Sequence, residues 1–140
     1  MIMSEFTSKC LIALLSCNSK LIKKLEQNLS SLHGLGLNEF FTLYHLSQSP
    51  LPVSRITLAE TLALTPSGVT RLLIPMDKLG YVTKQKNQRD ARLSLIKLTK
   101  AGKQRFQESN ITYQSTVEEL FKNVSKKDKE NLLSIITKIV

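Results

Sequence analysis

The chain has 140 residues, enough for one domain that buries roughly two-thirds of its unfolded surface, and its 41% apolar content excludes a disordered chain. The net charge of +9 is unevenly placed: residues 51–105 hold eleven basic against three acidic side chains, a net of +8, whereas residues 1–50 net +1 and residues 106–140 balance. Two cysteines, Cys10 and Cys17, exclude a disulfide framework, and no apolar run approaches the ~18 residues of a membrane span.

In chain order, apolar residues from Ser4 to about Leu32 recur at helical spacing and predict one long amphipathic helix, closed by Gly34 and Gly36. Leu14-Leu15-Ser16-Cys17 loosely resembles a lipoprotein cleavage box, but the run before it is short and Glu5 cancels Lys9, so no leader is expected. Asn38 is the expected N-cap of a second helix, which Pro50 and Pro52 stop. Thr57-Leu58-Ala59-Glu60 has the form of a capping box opening a short third helix. Thr65 and Pro66 then restart the chain as N-cap and first helical residue, and Gly80 is placed for a left-handed stop. Only Leu64 and Thr65 separate these two helices, so they must cross sharply. Residues 81–86 and 93–98 are the strand candidates, with a polar tip from Asn87 to Arg92 between them. Thr99 caps a helix expected to reach Val124, and Ser125 caps a last one bearing Leu132, Leu133, Ile135, Ile136 and Ile139.

A helix start bearing Thr65, Ser67 and Thr70 hydroxyls, with the small Gly68 between them, suits close approach to a phosphate backbone, because free amides and the helix dipole favour anions there. Arg71 can fork onto guanine O6 and N7 or onto phosphate. Val69, Leu72, Leu73 and Met76 have the spacing of the core-facing side. Lys84 and Lys86 lie on the first hairpin strand, and Arg89 and Arg92 at its tip can enter a minor groove, with Asp90 placed to hold one of them. Pro75 removes the helical bond to the carbonyl of Arg71, and a tolerated bend in the exposed half is the expected result.

Leu64 to Leu73, Asp77 to Val82, Asp90-Ala91-Arg92, and Lys97-Leu98-Thr99 with Ala101-Gly102 resemble the MarR-type winged helix-turn-helix transcription regulators. The resemblance implies a mainly α fold with a small β-hairpin wing. It also implies a single domain over 1–140, with the winged part at about 38–100 and dimerisation helices at about 4–32 and 100–140. By it, Pro66, Ser67, Thr70 and Arg71 fall on DNA-contacting positions and Arg92 on the wing arginine, while Ala91 stands where a second arginine is common. It implies a homodimer on an inverted repeat of double-stranded DNA, acting as a repressor released by a small aromatic or anionic effector. Some members sense peroxide through a cysteine of the first helix. Neither Cys10 nor Cys17 falls on that position, and Phe40 and Phe41 occupy the region of the partnering tyrosine, so small buried cysteines in a dimer helix are expected.

His33 and His45 have no cysteine or carboxylate at ligand spacing and read as free surface or cap residues, so no metal is expected. Gly34-Leu35-Gly36 lacks the residues of a phosphate cradle. No nucleophile, base and orienting group fall together, so neither an enzyme nor a cofactor is expected; two unbridged cysteines and the lack of a leader or span make a cytoplasmic setting the expectation. The competing reading is a redox- or ligand-responsive regulator that acts mainly through protein pairing, against which the +8 of residues 51–105 counts.

Overall fold

The computed structural model describes residues 2–90 and 93–140. Among the described residues the elements are α1 (Ile2–His33), α2 (Leu37–Gln48), β1 (Val53–Ser54), α3 (Arg55–Leu62), α4 (Pro66–Lys78), β2 (Val82–Lys86), β3 (Ser94–Leu98), α5 (Lys100–Leu120) and α6 (Lys126–Ile139). The strands form one antiparallel sheet in the order β1-β3-β2, with Val82 opposite Leu98, Lys86 opposite Ser94 and Val53 opposite Ile96.

One core lies under α4. Its Val69, Leu73 and Met76, spaced at i, i+4 and i+7, are buried with Leu43 and Leu46 of α2, Leu58 of α3, and Val82, Ile96 and Leu98 of the sheet. A second, smaller core joins the winged part to the outer helices. Leu29 of α1 and Leu37 and Phe40 of α2 are buried there, with Phe106 and Tyr113 of α5 packed against them. Phe40 stacks on Tyr113 with ring centroids 4.6 Å apart. Two polar ties add to the α1–α5 contact: Asn28 Nδ2 donates to Thr116 Oγ1 at 2.8 Å, and His33 Nε2 lies 2.7 Å from Thr112 Oγ1.

The outer ends of the terminal helices are uncovered. Every side chain from Ser4 to Lys20 is exposed, including Phe6, Leu11 and Leu15, and α6 buries none of its residues, leaving Leu133 and Ile139 in solvent. A single chain therefore leaves two long apolar stripes bare, far more than scattered surface residues explain. Both thiols, Cys10 and Cys17, are exposed in the protomer, so the burial expected from sequence would need a second chain.

Several sequence expectations shift. Helix α2 begins at Leu37, with Gly36 as N-cap and no side-chain cap, so Asn38 lies inside it. Burial of Leu37 and Phe40 on one face fixes this start, and the Glu39 carboxylate reaches back to the Gly36 amide. Helix α3 begins at Arg55, because Ser54 Oγ accepts from the Thr57 amide at 3.1 Å; Thr57 is therefore not a cap and Thr57–Glu60 is not a capping box. Helix α5 stops at Leu120 rather than Val124. The two-residue strand β1 had no sequence signature, being too short to show a period. His33 ends α1, in keeping with a cap residue, and is tied to Thr112, whereas His45 is neither free nor a cap but half-buried against Phe41 and Tyr44.

Other local expectations hold. Gly80 takes φ +80° just past α4, and Gly34 takes φ +63° past α1. Thr65, Thr99 and Ser125 each accept a hydrogen bond from the amide three residues on. The backbone continues as helix through Pro75, which is exposed.

Candidate nucleic-acid interface

The turn between α3 and α4 decides which side of α4 faces out. Ala63 closes α3 in the left-handed region at φ 53°, and the Leu64 amide donates back to the Ala59 carbonyl at 2.9 Å. Thr65 then opens α4. Its Oγ1 accepts from the Gly68 amide at 3.1 Å and lies 3.2 Å from Ser67 Oγ. With Val69, Leu73 and Met76 turned into the core, Ser67 and Arg71 come out on the opposite side and are exposed, with Thr70 partly so. Thr70 Oγ1 donates to the Pro66 carbonyl at 3.1 Å, which leaves its oxygen lone pairs available to a partner.

The wing stands beside this helix. Lys84 and Lys86 of β2 are exposed, paired across the sheet with Ile96 and Ser94. At the tip, the Arg89 amide donates to Asn87 Oδ1 at 2.9 Å, and the Leu93 amide donates to the Asp90 carbonyl at 3.1 Å, so the hairpin closes through local turns. Arg89 and Asp90 are exposed. Ala91 and Arg92 lie outside the described residues.

Between α4 and the tip end of β3 runs a cleft of about 330 Å³ lined by Pro66, Ser67 and Thr70 on one side and Leu93 and Ser94 on the other. Thr65 and Arg71 come just before and just after these residues along the helix. The start of α3 forms the floor with Arg55 and Ile56. Arg55 was absent from the sequence-derived set, yet its Nε is buried without a hydrogen-bond partner. A helix start at Thr57 leaves Arg55 in the preceding loop, whereas Ser54, a capping residue three before Thr57, sets it in the first turn of α3. The cleft offers hydroxyls, a helix start and the Arg55 side chain together, which suits a phosphate-lined groove.

The turn after α4 is clamped from behind. The Thr99 amide donates to the Tyr81 carbonyl at 3.1 Å, and Thr99 Oγ1 donates to the Gly80 carbonyl. Arg105 of α5 lies over the Tyr81 ring, 5.6 Å from its centroid, and donates to the His33 carbonyl at the end of α1. The α4 stop, the start of α5 and the end of α1 are thus tied together. Burial pushes the Glu39 carboxyl up, against the Gly36 amide and the Arg105 charge that pull it down.

Among the described residues no group of three or more His, Cys, Asp or Glu side chains could hold a metal ion, and no helix is long and apolar enough to cross a membrane.

No family profile matches the chain. A curated relative, an uncharacterized helix-turn-helix-type transcriptional regulator, YdgJ of Bacillus subtilis, is 25% identical over 97 residues. That match takes in 69% of this chain and 57% of the relative's length. Among solved structures, the chain is similar to the transcriptional regulator BldR from Sulfolobus solfataricus, at 25% identity over 99% of each chain with a TM-score of 0.80. It is also similar to Sco3205, a MarR-family transcriptional regulator from Streptomyces coelicolor in complex with DNA. There the identity is 18%, 94% of this chain and 84% of that one are covered, and the TM-score is 0.88. The fold, mainly helical with a small antiparallel sheet, is that of the MarR-type winged-helix regulators.

Proposed function

We propose that this MarR-type fold serves a homodimeric, sequence-specific DNA-binding transcription regulator, a repressor released by a small effector. The carrying observation is the outward face of α4, where Ser67 and Arg71 are exposed and Pro66, Ser67 and Thr70 face Leu93 and Ser94 of the wing across one cleft. The net +8 of residues 51–105 supports the same reading, since a protein-only role does not require it. In this reading the whole chain is one domain, with the winged part at about 38–100 and pairing helices on either side of it.

The N-terminal half of α4 enters a major groove. Thr65, Pro66, Ser67 and Thr70 meet backbone and base edges, and Arg71 forks onto a guanine or a phosphate. Lys84, Lys86, Arg89 and Arg92 hold the flanking strand electrostatically, with Asp90 ordering the tip. A second copy covers the bare stripes of α1 and α6 and sets the two α4 helices about one DNA turn, roughly 34–36 Å, apart on an inverted repeat. The work is cytoplasmic regulation rather than catalysis. The effector alters this separation; no residue names it.

A polarisation titration against the duplex upstream of its own coding region tests the proposal. Tighter binding to that duplex than to a scrambled one, weakening steeply as salt rises, supports it. Equal affinity for both overturns specific regulation and favours pairing with proteins instead.

A further inference from the structure

The outward face of α4 carries one residue that hydroxyls and charges do not explain. Ile74 is 44% exposed, one turn beyond Thr70. At about 100° per residue it falls within about 20° of Ser67 around the helix axis and about midway between Thr70 and Lys78. It therefore shares the stripe of Ser67, Thr70 and Arg71 rather than that of the buried Val69, Leu73 and Met76. A β-branched apolar residue gains little on a solvated helix face. Among the described residues, neither buried core takes it up.

The neighbours name the occupant. A partner for this stripe must present anionic groups to Arg71 and the helix start, and an apolar group about one turn further on. Duplex DNA offers that combination in the major groove, where phosphates line the rim and the C5-methyl of thymine is the apolar feature of the floor. Resting on the DNA-binding reading above, we infer that Ile74 is a specificity-determining residue that packs on a thymine methyl in each half-site. Pro75, exposed beside it, gives the Arg71 carbonyl no helical donor. Thr70 and Arg71 read polar edges near the helix start, and Ile74 adds one thymine to the sequence they select.

The test removes the methyl and nothing else. A duplex that the full-length protein enriches from a random pool is remade with 2′-deoxyuridine in place of each thymine in turn, and affinity is measured by polarisation. Burying one methyl is worth roughly fourfold in affinity, so wild type should lose about fourfold at one thymine of each half-site and little elsewhere. Ile74→Asn should bind thymine and uracil duplexes alike, while Ile74→Val, which keeps an apolar surface, should retain the difference. Wild type indifferent to every replacement, or Ile74→Asn still losing affinity at the same thymine, overturns the assignment. Failure of the protein to enrich any sequence overturns the DNA-binding reading itself, and this inference with it.

Discussion

A β-carbon on Gly102 would lie 2.1 Å from the carbonyl oxygen of Tyr81. The first turn of α5 thus packs backbone to backbone on the residue that follows the α4 stop, and only glycine fits. The Tyr81 carbonyl also accepts from the Thr99 amide, and Leu98 Cδ2 closes the other side at 3.0 Å. Neither a carbonyl held by a hydrogen bond nor a buried leucine can give way cheaply. Gly102→Ala should therefore destabilise the fold by about 2–3 kcal/mol, as overpacking does, measured as a lower urea midpoint with an unchanged slope.

Arg71 and the wing lysines should fail in different ways. If Arg71 forks onto a base, Arg71→Ala costs about 1–3 kcal/mol on the preferred duplex and much less on a scrambled one. Lys84→Ala and Lys86→Ala should weaken both duplexes alike, each lowering the slope of log affinity against log salt by about 1. Titrations at several salt concentrations separate the two patterns.

The bare stripes of α1 and α6 predict where pairing fails. Leu15→Lys or Ile139→Lys would set a charge in the proposed apolar interface and should convert the proposed dimer to monomer in sedimentation velocity. Helicity should change little, since both side chains are exposed in the single chain (Leu15 56%, Ile139 57%). DNA affinity should fall with the dimer, because one winged unit reads only half of the repeat.

His45 gives the stability a pH dependence. Burial beside Phe41 and Tyr44 holds its imidazole below the ordinary 6.5. Just below 6.5 the folded chain then binds fewer protons than the unfolded one, so this contribution is complete above about 6.5 and is lost as pH falls through the folded value. Glu39, pushed up by burial, acts with the opposite sign from its ordinary 4.5 upward, but it is common to wild type and variant. Between about pH 7 and about pH 5, the melting temperature of wild type should fall more steeply than that of His45→Gln.

What the sequence disclosed was local chemistry. Thr65-Pro66, Thr99 and Ser125 start helices where they stand because each cap is completed by an amide three residues away. Gly80 reads directly as a left-handed stop. Asn38 and Thr57 misled because a cap is worth only about 1 kcal/mol, and burial of Leu37 with Phe40 outweighs it. At α3, a better-placed serine at the end of an invisible strand takes the role. For the candidate site, Ser67, Thr70 and Arg71 follow from helical spacing against a buried Val69 and Leu73. Arg55 and Ile74 do not, since each matters only through what lies across the cleft or along the same exposed stripe.

Selection of duplexes from a random pool by the intact protein tests the central claim most directly. The expected product is an inverted repeat with half-site centres 10–10.5 base pairs apart, roughly one helical turn, enriched by wild type and lost with Arg71→Ala. A pool that stays random, or one that yields a single unrepeated half-site, would contradict a dimer that reads DNA through two copies of α4.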